Sequence, residues 1–381
     1  MRFFHLADLH LGKRLGNVNL IEDQRYMLKQ VLALIEQHRP EALLLAGDIY
    51  DKAAPGVEAV ELFDEFLTAV AAADIPLLII SGNHDSPERL DFARHILAKQ
   101  KIYVSGAFTG HMEEVTLTDS FGPLTFRLMP FVRPAQVRRF FPDEELPTYD
   151  AAFARIMKEQ PLEEGRRYVL MAHQFITNMG EEPQRSESEQ INVGGLDNIE
   201  ATVFSGYSYV ALGHIHRPQT IGGEHIRYAG SPLKYSFSEV NHHKSLPMVD
   251  IDGSGKASVQ LLPITPLRDL RRIKGTLARL TSAETVAAAN TEDYLQITLT
   301  DEEDLLAPLD TLRKFYPNVL KLDIVNSRSG INEEAPAAEE KIKSPEELFC
   351  DFYEYQQNTP PDEKKLEIVR RIFRKLEEGN R

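Results

Sequence analysis

Five short clusters in this chain could hold a cation: Asp8-Leu9-His10, Gly47-Asp48, Gly82-Asn83-His84-Asp85, Ala172-His173 and Gly213-His214-Ile215-His216. Their donors are imidazole nitrogens and side-chain oxygens, which suit manganese, iron or zinc. The single cysteine, Cys350, leaves no thiolate set for a softer metal and no internal disulfide. In Asp8-x-His10 and His214-x-His216 the spacing lets alternate side chains of an extended backbone approach one point. Gly47, Gly82 and Gly213 permit sharp turns where the donors leave their strands. Two ions about 3.5–4 Å apart would clamp a phosphate and activate a water. One such cluster is easily coincidental; five in order are not.

Each cluster follows an apolar run that reads as a strand: residues 3–7, 42–46, 76–80, 168–172 and 209–212. Amphipathic stretches at 21–37 and 57–72 read as helices between the early runs, the alternation of an α/β layered fold. In open α/β sheets ligands bind beyond the carboxyl ends of the strands, so five strand ends can converge on one site. Residues 180–190 are polar and read as a loop.

The pattern changes near residue 263. A basic strand at 267–274, strands at 294–299 and 320–325, and helices at 277–289 and 304–315 suggest a small α+β domain. Residues 326–343 are rich in Ser, Glu, Ala and Pro without periodicity, as in a linker. Ser344-Pro345-Glu346-Glu347 then forms a capping box ahead of two short helices. The expected domains are 1–262, 263–326, a linker at 327–343, and 344–381.

A net charge of −15 over 381 residues argues against a surface coated with nucleic-acid-binding lysines. It leaves room for a nuclease with local basic patches. Arg268, Arg271, Arg272 and Lys274 form one such patch, a candidate phosphate-backbone contact, and Arg133, Arg138 and Arg139 another. No apolar run approaches the roughly 20 residues of a membrane span. The chain enters its first strand without a leader, so the cytoplasm is the expected compartment.

D-x-H, G-D, G-N-H-D, H and G-H-x-H, in that order, resemble the calcineurin-like metallophosphoesterase superfamily. The resemblance implies a four-layer α/β/β/α core. It also implies that Asp8, His10 and His216 hold one metal, that Asn83, His173 and His214 hold the other, and that Asp48 bridges them. His84 completes neither set. It could give a proton to the leaving oxygen, with Asp85 holding its ring.

Narrower segments, at 4–12, at 46–51 with Pro55 after them, and above all at 228–239, resemble the SbcD nuclease family. That likeness implies two manganese ions, 3′-to-5′ exonuclease action on double-stranded DNA, and endonuclease action on single strands and hairpins. It further implies homodimerisation and a coiled-coil ATPase partner, SbcC, at DNA ends in recombination, replication and repair. One departure stands out: relatives that carry a second histidine shortly after G-D are matched here by Asp51.

Residues 364–375 carry six basic residues and one acid, and Leu366, Val369, Ile372, Phe373 and Leu376 share one helical face. This helix resembles the SbcD element that docks on SbcC. The 228–239 segment, the basic second domain and the tethered helices, rather than the five clusters, are what point to DNA. Two alternatives stay open: a small-molecule phosphodiesterase or phosphatase with the same metals, and a non-catalytic scaffold. His5, between Phe4 and Leu6, is expected to be a packed strand residue.

Overall fold

The structure, a computed structural model, describes residues 1–189, 198–303, 305–325, 349–350, 353 and 360–378. The expected linker at 327–343 lies outside them, as do most of the first expected C-terminal helix and the side chains of Ile372, Phe373 and Leu376. Two compact units divide at Leu270 and Arg271, beyond the boundary expected after Leu262.

The first unit contains two six-stranded sheets. In chain order its principal strands are β1 (Arg2–Leu6), β2 (Ala42–Ala46), β3 (Leu77–Ile80), β4 (Ile102–Ser105), β5 (Glu113–Asp119), β6 (Gly122–Met129), β7 (Arg167–His173), β8 (Tyr209–Gly213), β9 (Gln219–Thr220), β10 (Ile226–Tyr228), β11 (Ser245–Ile251) and β12 (Ala257–Pro263). One sheet has the order β12-β11-β1-β2-β3-β4 and the other β9-β10-β8-β7-β6-β5. β1 to β4 are mutually parallel, as are β6, β7, β8 and β10. The first sheet ends in antiparallel strands at one edge, β11 and β12, and the second at both, β9 and β5.

β2 shows why the strands are so apolar. Every residue of Ala-Leu-Leu-Leu-Ala is buried because both faces are covered. Ala42, Leu44 and Ala46 join Phe3, Leu78, Phe126, Val169, Met171 and Tyr209 in the core between the sheets. The opposite face of the second sheet packs Leu170, Val210 and Leu212 with Phe153 and Ile156 of a helix at Tyr149–Glu159. On the first sheet's side, helix α1 (Ile21–His38) buries Met27, Leu28, Val31 and Ile35, spaced three and four apart. Helix α2 (Val57–Ala72) buries Ala59, Leu62, Phe63, Phe66 and Val70 in the same way. The result is the expected four-layer α/β/β/α order. His5 is a packed strand residue, its Nδ1 3.0 Å from the Tyr209 hydroxyl. Strands β5 and β6 and the 149–159 helix were not expected from the sequence.

The second unit has a three-stranded sheet, β13 (Leu270–Gly275), β14 (Tyr294–Leu299) and β15 (Val319–Ile324), with β14 in the centre. Its core gathers Leu280, Leu295, Ile297, Leu299, Leu312, Tyr316 and Val319. The helix expected at 277–289 is broken into Leu277–Leu280 and Ala283–Ala287. Ser282 starts the second piece, its Oγ accepting from the Thr285 backbone N–H. The helix expected at 304–315 spans only Pro308–Arg313, with proline in its first turn. The C-terminal helix runs Glu363–Glu378. Among the described residues, no helix is long and apolar enough to cross a membrane.

Candidate metal centre

The carboxyl ends of β1, β2, β3, β7 and β8 meet where the two sheets face each other, and each delivers one cluster. Beyond β1 the chain stays paired to the segment after β2: the Asp8 N–H donates to the Gly47 carbonyl and the His10 N–H to the Asp48 carbonyl, both at 3.0 Å. The sheets are joined at this edge by His173, whose Nδ1 lies 2.8 Å from the Ala46 carbonyl, and by the His214 N–H, which donates to Asp8 Oδ1 at 2.9 Å.

Close approach requires the glycines. A Cβ on Gly82 would overlap the Asp48 backbone nitrogen and carboxylate. One on Gly213 would overlap the Ala46 carbonyl. The donors themselves carry backbone strain. Asp8 (φ 55°), His10 (φ 44°), Asp48 (φ 50°) and His214 (φ 93°) all have positive φ, a rare conformation that Asp and His adopt more readily than bulky residues. Strain of this kind persists where the surrounding structure over-determines the site.

Six of the seven expected ligands make direct ligand-to-ligand approaches. Asp48 Oδ2 lies 3.5 Å from His10 Nε2 and 3.3 Å from His173 Nε2. His10 Nε2 and His216 Nε2 are 3.1 Å apart. Asn83 Oδ1 is 3.1 Å from His173 Nε2 and 2.9 Å from His214 Nδ1. Donors about 2.0–2.2 Å from a common cation lie roughly 3.0–3.5 Å from each other, so this spacing suits shared coordination. The seventh, Asp8, groups with His10 and His216 and also with Asp48 and His173.

Asp8 supplies the clearest sign of fit. Its Oδ2 is fully buried and has no hydrogen-bond partner among the described residues. Burial pushes its carboxyl well above the usual range, against the pull of His173. A cation would supply the missing positive charge. Burial also lowers His10, and lowers His214 to about 3, keeping both imidazoles neutral and able to donate lone pairs. His173 runs against burial: Asp48 lifts it to about 9. Burial likewise opposes the ionisation of Asp48, but His173, then His10 and His84, hold it well below the ordinary carboxylate range. The residues present therefore fit two divalent ions sharing Asp48.

His84 sits at the rim, half-buried, with its ring 4.8 Å from that of His10 and perpendicular to it. The expectation for Asp85 needs correction. Its carboxylate does not hold the His84 ring. It accepts the backbone N–H groups of Ile49, Tyr50 and Gly82 at 3.1, 3.0 and 2.9 Å, tying the turn after β2 to that after β3. The His84 ring is held by the Asp51 carbonyl, 2.9 Å from Nδ1. The Asp51 carboxylate also pairs with Lys13 at 2.8 Å.

The basic patch is mostly engaged. Arg268 makes a two-toothed pair with Asp23 at 3.1 and 2.9 Å. Arg271 pairs with Asp293 at 2.6 Å, and Arg272 donates to Gln296 at 3.0 Å. Arg272 and Lys274 are exposed.

Part of the 228–239 segment turns inward, toward the donors. Ser231, Tyr235 and Glu239 are buried around His216 and His10. Ser188 and Glu189, in the polar loop after residue 180, join them, at 2.8 Å from His216 Nδ1 and from the His216 backbone nitrogen respectively. Sequence reasoning missed both because nothing local distinguishes them from a solvated loop.

Comparison with known proteins agrees with this geometry. A family model described as calcineurin-like phosphoesterase matches residues 1–218. A second, SbcD_C, described as a type 5 capsule protein repressor C-terminal domain, matches residues 266–357. A curated relative from Staphylococcus epidermidis, named as the SbcD component of the nuclease SbcCD, is 31% identical over 329 residues, covering 85% of this chain and 86% of its own. One of the same name from Staphylococcus saprophyticus is 31% identical over 326 residues, covering 84% of each. With the site complete, the chain belongs to the calcineurin-like metallophosphoesterases and, within them, to the SbcD family.

Proposed function

We propose that this chain is the nuclease subunit of an SbcC-partnered complex, a manganese-dependent phosphodiester hydrolase acting at DNA ends. The observation that carries the reading is the convergence of five strand ends, with Asp48 within 3.5 Å of both His10 and His173, His216 beside His10, and Asn83 beside His173 and His214. Asp8, His10 and His216 hold one ion, Asn83, His173 and His214 the other, and Asp48 bridges. Two bound cations supply Lewis acidity at the scissile phosphate and lower the pKa of a water. The chain's own part is to fix the donors' tautomers. The His173 Nδ1–H is committed to the Ala46 carbonyl, so Nε2 is the atom that would face a bound cation, in place of the proton that Asp48 otherwise favours there. His84, held through Nδ1 by the Asp51 carbonyl, presents Nε2, which in the imidazolium form carries the proton that would protonate or stabilise the leaving oxygen.

The substrate reading is a 3′-to-5′ exonuclease on double-stranded DNA and an endonuclease on single strands and hairpins, in recombination, replication and repair. It rests on the named relatives and on the exposed Arg272 and Lys274 of the second unit, which serves as a DNA-capping domain. The homodimer, the cytoplasmic location and the docking of residues 344–381 on SbcC belong to the same proposal. End-labelled duplex and a generic phosphodiester ester, each incubated with manganese, with and without SbcC and ATP, test it. Shortened end-labelled products, absent without manganese, are expected. Hydrolysis of the ester with intact duplex would favour a small-molecule phosphodiesterase instead.

A further inference from the structure

Behind His216 lies a buried ionic network that the proposed chemistry does not use. Glu239 is wholly buried, and Lys244 nearly so. Lys244 Nζ donates to Glu239 Oε2 at 2.7 Å, to Ser231 Oγ at 2.8 Å and to the His216 carbonyl at 2.8 Å. The other Glu239 oxygen accepts the Ser188 hydroxyl at 2.6 Å. With its proton committed there, Ser188 Oγ can only accept from His216 Nδ1, 2.8 Å away. His216 must then carry its proton on Nδ1 and present Nε2 as a bare lone pair, facing His10 Nε2 at 3.1 Å.

The same network reaches the other donors of that group. The Tyr235 N–H donates to Glu239 Oε1 at 3.2 Å, and its hydroxyl donates to the Leu9 carbonyl, between Asp8 and His10. Its ring stands edge-on to both His10 and His216, at 5.5 and 5.8 Å. A buried carboxylate–ammonium pair is a poor stabiliser compared with apolar packing of equal volume. Orientation of a metal-binding imidazole is a use that explains its presence, since partners of that kind govern metal affinity.

We infer that Glu239, acting through Ser188 and held by Lys244, is a positioning residue that fixes the tautomer and ring orientation of His216. It thereby sets the affinity of the Asp8, His10 and His216 cation site. The inference rests on the functional reading above, in which those three residues hold an ion.

The test is manganese titration of the full chain, with free Mn2+ followed by electron paramagnetic resonance and folding by circular dichroism. The parent is expected to bind two ions. Ser188→Ala and Glu239→Gln should each weaken one ion by about 10–100-fold and leave the other unchanged. Glu239→Gln leaves Lys244 charged and unmatched, so its melting temperature should fall. The pair Glu239→Gln with Lys244→Met removes that charge and should recover melting temperature but not metal affinity. Asp119→Asn, which breaks a buried pair with Arg167 in β5 and β7, serves as a control: less stable, with both ions retained. Parent-like affinity for both ions in Ser188→Ala overturns the inference, whatever becomes of the Glu239 variants. A parent that binds no divalent ion would instead refute the functional reading.

Discussion

Replacing His84 by alanine separates catalysis from metal binding. The side chain is half-buried, so its removal opens no core cavity. It loses one hydrogen bond, from Nδ1 to the Asp51 carbonyl at 2.9 Å, and an edge contact with His10. One such bond contributes about 1 kcal/mol net. In a protein of this size that lowers the melting temperature by roughly 2–4 °C. The loss of a general acid is far larger, about 10²–10⁴ in rate, equivalent to roughly 3–5 kcal/mol of barrier. The backbone N–H of residue 84, which donates to Asp48 Oδ1 at 2.9 Å, survives the substitution, so the bridge stays in place. The assay combines single-turnover cleavage of end-labelled duplex at saturating manganese with metal analysis of the same sample. A slow variant carrying two ions is expected. Full activity would eliminate the proton-donor role. Loss of an ion would show that His84 is itself a ligand, an arrangement its grouping with His10 and Asp48 allows.

Deleting residues 343–381 should abolish SbcC binding in a pull-down while leaving manganese-dependent nuclease activity; an unaltered complex would refute docking through that segment. Arg272→Ala with Lys274→Ala removes two exposed cations and should weaken duplex binding and flatten its log–log salt dependence by about 1–2. An unchanged salt slope would place the DNA elsewhere. The acid limb of stability offers a test away from the site. Arg167, against burial and with help from the N-terminal ammonium, holds the Asp119 carboxyl well below its ordinary value. A depressed folded-state pKa stabilises fully above the unfolded value near 4 and is lost as pH falls through the folded one. Melting temperature should therefore drop more steeply below about pH 4 in the parent than in Asp119→Asn; equal slopes would show that the pair does not titrate with unfolding.

Much of the site was legible because its signals are local. A strand buried on both faces reads as an unbroken apolar run, and the donor immediately beyond it marks the strand's carboxyl end. Helix α2 matches its expected span because its apolar positions repeat at helical spacing. The strands β5 and β6 were missed. β5, Glu-Glu-Val-Thr-Leu-Thr-Asp, lies at a sheet edge with alternate residues exposed and little apolar content to announce it. The helix expected at 277–289 failed differently: its composition favoured one helix, and the cap at Ser282 divided it.

By itself, the sequence determined which donors exist, in what order, and that each leaves the end of a strand, since these depend on neighbours a few residues apart. Only the tertiary structure decided which donors face one another and what holds them. His84 proved to be oriented by the Asp51 carbonyl, Asp85 to tie two turns together, and the 228–239 segment to point inward at His216. Ser188 and Glu239 are 51 residues apart, and His216 is 28 from Ser188. No periodicity spans such separations; the partners meet because two sheets packed face to face bring their strand ends to one edge.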